Sequence, residues 1–140
     1  RPGDLLLTGF DLKKDPAIIL DAYNDAAGHT AAFNLNLLTR INRELGADFD
    51  LDNWRHWETY DPVSGAARSY LVAKAACTVT VADLDEAFSF GPAEAIAVEI
   101  SQKYSREEIR RMANTAGFVL LKNLEDSKGW FTDSLWRVLP

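Results

Sequence analysis

The sequence predicts an α+β fold with helices and strands grouped in separate stretches. Apolar residues recur at helical spacing over residues 30–45 and again over 105–116, which indicates amphipathic helices. Between residues 54 and 101, short apolar and β-branched segments alternate with turn residues, as in antiparallel strands. The chain closes with a capped helix, a strand, a turn and a strand. We therefore expect an opening strand, two helices, a β-rich middle, and a final helix followed by a hairpin.

The first elements are defined by their end signals. Leu5 to Phe10 is an apolar run that we expect to form a short buried strand. Asp15 is a candidate N-cap, and Pro16 suits the first helical position because its missing N–H costs nothing there. This helix should run to about Tyr23 and end before Gly28.

The second helix should begin after Thr30 as N-cap and stop at Gly46. Its expected buried stripe is Phe33, Leu37, Leu38, Ile41 and Leu45.

The remaining elements follow from turn and capping chemistry. Pro62 and Gly65 lie in a turn between two predicted strands. Ser105 and Glu108 form a capping box, and Gly117 ends the helix that it opens. The predicted strands are 55–60, 67–73, 78–81, 88–90, 96–101, 118–124 and 130–139.

Composition excludes several function classes. The chain has 140 residues and a formal net charge of −6, and its Lys and Arg residues are scattered, which argues against a nucleic-acid partner. The apolar runs are too short for a membrane span, and no signal peptide is visible, so we expect a cytoplasmic protein. One cysteine and two histidines offer neither a disulfide framework nor metal-ligand spacing.

Two segments carry a family resemblance. They are Leu5–Pro16 (LLLTGFDLKKDP) and Ala22–Leu38 (AYNDAAGHTAAFNLNLL). Together they resemble the second half of the histidine-specific, S-adenosylmethionine-dependent methyltransferases, which trimethylate the α-amino group of histidine on the route to ergothioneine. The resemblance extends over essentially the whole chain. Because the chain opens at Arg1 and enters an apolar run after four residues, we also expect an excised segment.

The resemblance implies a division of the chain. Residues 1–14 would be a late strand of a Rossmann-like methyltransferase sheet, and residues 104–140 would be its final helix and antiparallel hairpin. Residues 15–103 would be an inserted, β-rich substrate-binding lobe. The chain would then be α+β by itself and part of an α/β fold in the whole enzyme. A cut sheet leaves an exposed edge, which invites self-association.

The candidate substrate-binding residues are Tyr23, Glu99 and Ser101. Glu99 and Ser101 lie on one face of a predicted strand, about 7 Å apart, so a carboxylate and a hydroxyl can converge on one small ring. By itself this alternation is more typical of a strand with a solvated face. In the family, a Glu and a Ser spaced this way hold the substrate imidazole, and the tyrosine matching Tyr23 hydrogen-bonds the substrate carboxylate.

For other conspicuous residues we do not expect a role in substrate binding. Asp25 should shape the turn around Gly28, and Phe33 should belong to the core. His29 stands where the family usually has an aliphatic residue and is interpreted as variation. His56 is interpreted as an ordinary strand residue. Ser69 stands where relatives often have a methionine near the imidazole, which changes the expected pocket shape.

The cofactor implied by the resemblance is S-adenosylmethionine, but no Gly-x-Gly occurs in the chain. We therefore expect the cofactor to be bound mainly by an upstream half, and this segment alone to be inactive. The expected partner is L-histidine. Two alternatives stay open: methylation of another amino acid, such as an indole amino acid, and a non-catalytic ligand-binding or interaction domain that has kept only this lobe.

Overall fold

The computed structural model describes residues 1–140 as a mixed α+β protein with three small antiparallel sheets. The helices are α1 (Pro16–Tyr23), α2 (His29–Leu45) and α3 (Arg106–Thr115). The strands are β1 (Leu5–Asp11), β2 (Trp54–Asp61), β3 (Ala66–Ala73), β4 (Cys77–Val81), β5 (Glu86–Phe90), β6 (Ala95–Gln102), β7 (Phe118–Glu125) and β8 (Phe131–Val138). This element order confirms the predicted α+β class.

The chain divides into two compact units, each with its own apolar core. The first unit comprises residues 1–16, 61–66 and 102–140, and the second comprises residues 17–60 and 67–101. Assigning the first to a methyltransferase sheet and the second to an inserted lobe stays a prediction, as does the surrounding Rossmann-like fold.

The first unit contains the predicted terminal helix and hairpin. Strands β7 and β8 pair antiparallel, and β8 also pairs with β1, so the order is β1-β8-β7. The helix α3 begins with the expected capping box, in which Ser105 and Glu108 bond each other's backbone N–H groups. The core of this unit consists of Phe10, Leu12, Ile109, Ala113 and Trp136.

The prediction that residues 5–10 form a buried strand was half wrong. They do form β1, but β1 is an edge strand, and its leucines are largely exposed. Leu7 is 60% exposed, whereas Phe10 is buried against the ring of Trp136 at 5.7 Å. An apolar run identifies a strand without showing whether both of its faces are covered.

In the second unit, α2 packs against strands of the β2-β3-β6 sheet. The strand order is β2-β3-β6, with β4 and β5 forming a separate hairpin. Leu38 of α2 lies in the core with Trp54 of β2 and Leu71 of β3, and Val98 of β6 packs against the same cluster. This arrangement places three adjacent strands under one helix.

Two expectations about α2 require correction. The helix begins at His29, not after Thr30, because Gly28 takes the N-cap position in a left-handed conformation at φ 74°. The predicted stripe is also rotated. Phe33 is 73% exposed, while its neighbour Asn34 is buried and donates a side-chain hydrogen bond to the Thr30 carbonyl. No helix has the length and apolar character needed to cross a bilayer.

Candidate functional site

The turn between α1 and α2 is fixed by Asp25. Its carboxylate accepts hydrogen bonds from the backbone N–H groups of His29 and Thr30, at 2.8 and 2.9 Å. These bonds stabilise the ionised form and lower the pKa of Asp25 to about 2. Asp25 therefore shapes the turn as expected, and it sets the relation between Tyr23, at the end of α1, and the first turn of α2.

Tyr23 and Glu99 line one cavity. Its volume is about 330 Å³, and its remaining walls come from the turn and from the start of α2. These walls are Ala22, His29, Thr30 and Phe33. The sequence separates Tyr23 from Glu99 by most of the second unit, yet the two polar side chains predicted to bind opposite ends of an amino acid face the same space.

A second cavity, of about 370 Å³, shares two of its walls with the first. Phe33 and Glu99 line both. The other lining residues of the second cavity are Asn34, Asn36, Leu37, Arg40 and Val98. Glu99 is thus the residue of β6 that reaches both spaces, and the exposed ring of Phe33 forms the wall between α2 and the strand.

The strand β6 departs from strict alternation where Glu99 lies. Ile96 and Val98 pack against the core. However, Val98 and Glu99 are consecutive and line the same cavity, and Ile100 is exposed. Consecutive residues of a regular strand point to opposite faces, so this departure brings the Glu99 carboxylate to the α2 side of the sheet.

Ser101 lies two residues after Glu99, near the end of β6, and is partly buried. It is not among the lining residues of either cavity. The geometry therefore brings Tyr23 and Glu99 together and leaves Ser101 beside them on the strand.

Sequence reasoning missed a buried polar cluster on β2 and β3 of the same unit. Ser69 Oγ donates a 2.5 Å hydrogen bond to Glu58 Oε2, and His56 Nε2 lies 3.7 Å from the same oxygen. His56 was interpreted as an ordinary strand residue. The available signal was Glu58 itself, which lies four residues after Trp54 and therefore on the same strand face.

Burial and the neighbouring charges act in opposite directions on the pKa of His56. Burial, the largest effect, lowers the pKa because it disfavours the charged imidazolium. The negative charges of Glu99 and Asp25 raise it, and the net result is a lowered pKa. His56 is thus a buried ring whose pKa is lowered by burial and partly restored by the charge of Glu99.

Glycine-rich loops and basic side chains are the features that most often hold a nucleotide. The glycines with positive φ occur singly, at positions 3, 28, 46, 65, 117 and 129. The connection from β1 to α1 contains Lys13 and Lys14, whose ammonium groups bond Glu108 and Asp11. A further cavity of about 470 Å³ in the first unit contains none of the predicted binding residues; its walls include Tyr104, Arg111 and Met112.

Comparison with known proteins gives a consistent result. Residues 1–138 match the family described as histidine-specific methyltransferase, SAM-dependent. The chain is 44% identical over 109 residues to the histidine N-alpha-methyltransferase of Mycolicibacterium smegmatis, covering 78% of this chain and 34% of that protein. It is 38% identical over 135 residues to the enzyme of the same name from Mycobacterium tuberculosis, covering 96% of this chain and 42% of that protein.

A more distant relative is ergothioneine biosynthesis protein 1 of Schizosaccharomyces pombe, 32% identical over 125 residues, which are 89% of this chain and 16% of that protein. The chain thus spans less than half the length of these relatives. Because the family match extends over nearly every residue, the chain belongs to the histidine-specific, S-adenosylmethionine-dependent methyltransferase family.

Proposed function

We propose that this chain is the C-terminal, substrate-recognising portion of a methyltransferase that transfers methyl groups from S-adenosylmethionine to the α-amino group of histidine. The observation that carries the proposal is the shared cavity of Tyr23 and Glu99. A phenol and a carboxylate facing one space can bind the two ends of a histidine molecule.

Each side chain has a distinct task in this proposal. The Tyr23 hydroxyl donates to the substrate carboxylate, while its ring covers one side of the cavity. Glu99 accepts a hydrogen bond from an imidazole N–H, and Ser101 supplies a hydroxyl for the second ring nitrogen. A site built around such bonds rejects amino acids without ring nitrogens, since its own polar groups would then be buried unpaired.

Holding both ends of the substrate directs its amino group. Methyl transfer requires the amine to be unprotonated and in line with the donor methyl, so correct orientation supplies much of the rate. S-adenosylmethionine provides the activated methyl group. Because the chain has no Gly-x-Gly, we expect cofactor binding to depend mainly on residues outside it and the chain alone to be inactive.

The test is calorimetric titration of L-histidine into the full-length protein, with L-tryptophan as the competing substrate class. We expect histidine-selective binding, and we expect Glu99→Ala to weaken it by about 1.5–3 kcal/mol, or tenfold to over a hundredfold, because a charge-assisted bond is lost. Glu86→Ala, at an exposed glutamate on β5, is the matched control and should bind normally.

The other outcomes are equally informative. Preference for tryptophan would move the function to an indole amino acid. Binding of histidine without methyl transfer by the full-length protein would favour a non-catalytic ligand-binding domain. Unchanged histidine affinity in Glu99→Ala would remove Glu99 from the site.

A further inference from the structure

The buried cluster of His56, Glu58 and Ser69 crosses two neighbouring strands. The side chain of His56 is 4% exposed and that of Glu58 is 1% exposed, and Ser69 is buried as well. Ser69 donates to Glu58, and the Glu58 carboxylate lies beside the His56 ring, with Oε2 3.7 Å from Nε2. A buried ring held next to a hydrogen-bonded carboxylate has little freedom to turn.

This cluster lies on the same face of the sheet as the proposed site. Trp54, His56 and Glu58 are spaced two residues apart along β2, so their side chains lie on one face of the strand. Ser69 and Leu71 share a face of β3 for the same reason. Trp54 and Leu71 belong to the core against which Val98 packs, and Val98 shares a cavity with Glu99. Because Glu99 shares this cavity with Val98, we place its carboxylate on the same face as His56. The strand order β2-β3-β6 leaves one strand, β3, between the two residues.

The distance between those two side chains is within their reach. Strands two apart in a sheet are separated by roughly 10 Å, which a histidine and a glutamate can span from opposite sides. The effect of the Glu99 charge on the pKa of His56 agrees with this proximity.

The ring nitrogen of His56 that faces the Glu58 carboxylate makes no hydrogen bond. This atom, Nε2, is buried. Leaving a buried ring nitrogen unpaired is costly, and such an atom marks a place where a partner arrives in the functional state. Glu58 Oε2 lies 3.7 Å from this nitrogen, beyond hydrogen-bond distance. Glu99, whose carboxylate has two oxygens and which lines both cavities, is a second carboxylate on the same face of the sheet.

We propose that His56 is a positioning residue for Glu99: its Nε2–H fixes one oxygen of the Glu99 carboxylate while the other receives the imidazole N–H of the substrate. The Glu58–Ser69 pair holds the His56 ring in the orientation that this requires. The inference rests on the proposed function. The site thereby presents a preoriented carboxylate, so histidine binding does not have to restrict a freely rotating glutamate.

Two substitutions that place an amide at different ring positions test this. The side-chain nitrogen of a glutamine can replace Nε2 of histidine, whereas that of an asparagine replaces Nδ1. In the full-length protein, His56→Asn should weaken L-histidine binding about tenfold, and His56→Gln should restore most of it. Thr59→Ala, at an exposed position on the same strand, should bind as the unchanged protein does.

A double-mutant cycle separates positioning from simple structural support. If His56 acts through Glu99, His56→Asn should have little further effect on histidine affinity once Glu99→Gln is present. Independent, additive losses, or equal behaviour of the Asn and Gln variants, would overturn the proposal and leave the substrate assignment intact. Failure of the unchanged full-length protein to bind L-histidine would instead overturn the proposed function itself, and this inference with it.

Discussion

Ser69 Oγ donates a 2.5 Å hydrogen bond to Glu58 Oε2 between adjacent strands of the second unit, and both side chains are buried. A carboxylate placed in a protein core requires such donors, since its desolvation is costly. The bond therefore joins β2 to β3 inside the second unit.

Removing that donor should destabilise the protein measurably. We expect Ser69→Ala to lower the free energy of unfolding by about 1–3 kcal/mol, because a buried acceptor loses one of its partners. Urea denaturation of the full-length protein measures the change. Ser89→Ala is the control, because Ser89 is exposed on β5 and bonds only the Thr78 hydroxyl in the exposed hairpin. Equal losses in the two variants would contradict the buried role of Ser69.

Burial of His56 predicts an acid-dependent loss of stability. Its pKa in the folded protein is lowered, chiefly by burial, so the unfolded chain binds a proton more readily than the native one. Stability from this residue is full above the unfolded pKa of about 6.5 and declines as pH falls through the folded value. We expect His56→Gln to flatten that part of the pH–stability profile, whereas His29→Gln, at an exposed ring, should leave it unchanged.

Much of the fold could be predicted from local signals. Pro16 at a helix start, Gly46 in the left-handed conformation after α2, and the Ser105–Glu108 capping box define element ends through interactions within a few residues. Such signals depend on backbone chemistry near the element itself, so the sequence is sufficient to place them.

Long-range relationships were less accessible. Strand β6 pairs with β3 rather than with β5, its nearest strand in sequence, because pairing depends on which faces the rest of the chain buries. The exposure of Phe33 and the burial of Asn34 likewise depend on the angle at which α2 meets the sheet. A family resemblance pointed to Tyr23 and Glu99. The contact between Glu58 and Ser69 could not be predicted in this way, because it depends on which residues of β2 and β3 lie side by side.

The buried ion pair of the first unit predicts an asymmetric response to substitution. Lys103 is buried, and its Nζ lies 2.7 Å from Asp11 Oδ2, whereas Asp11 is partly exposed. Burial raises the pKa of Asp11, but the bonds to Lys103 and Lys14 outweigh it and lower the pKa overall. The two members of the pair therefore differ in how well water can replace a lost partner.

Asp11→Asn should therefore cost more than Lys103→Met. The first change removes the carboxylate from a buried ammonium and should cost about 3–5 kcal/mol, while the second replaces that ammonium by an apolar side chain of similar length. Urea denaturation of both single variants and of the double variant checks this. We expect the double variant to be more stable than Asp11→Asn alone, and the reverse order would contradict the assignment of Lys103 as the costlier charge.

Two substitutions on α2, at Phe33 and at Leu38, should separate effects on the free energy of unfolding from effects on histidine binding. Its ring is 73% exposed and lines both cavities, so Phe33→Ala should change the free energy of unfolding by less than about 0.5 kcal/mol, as is usual for exposed positions. Leu38→Ala, at a buried position further along α2, should cost about 2–5 kcal/mol. Histidine affinity should show the opposite order among molecules that remain folded, with the larger loss in Phe33→Ala, because that substitution removes a cavity wall. Denaturation and calorimetry on the same full-length preparations measure both quantities, and a Phe33→Ala variant that binds histidine normally would show that this wall does not touch the substrate.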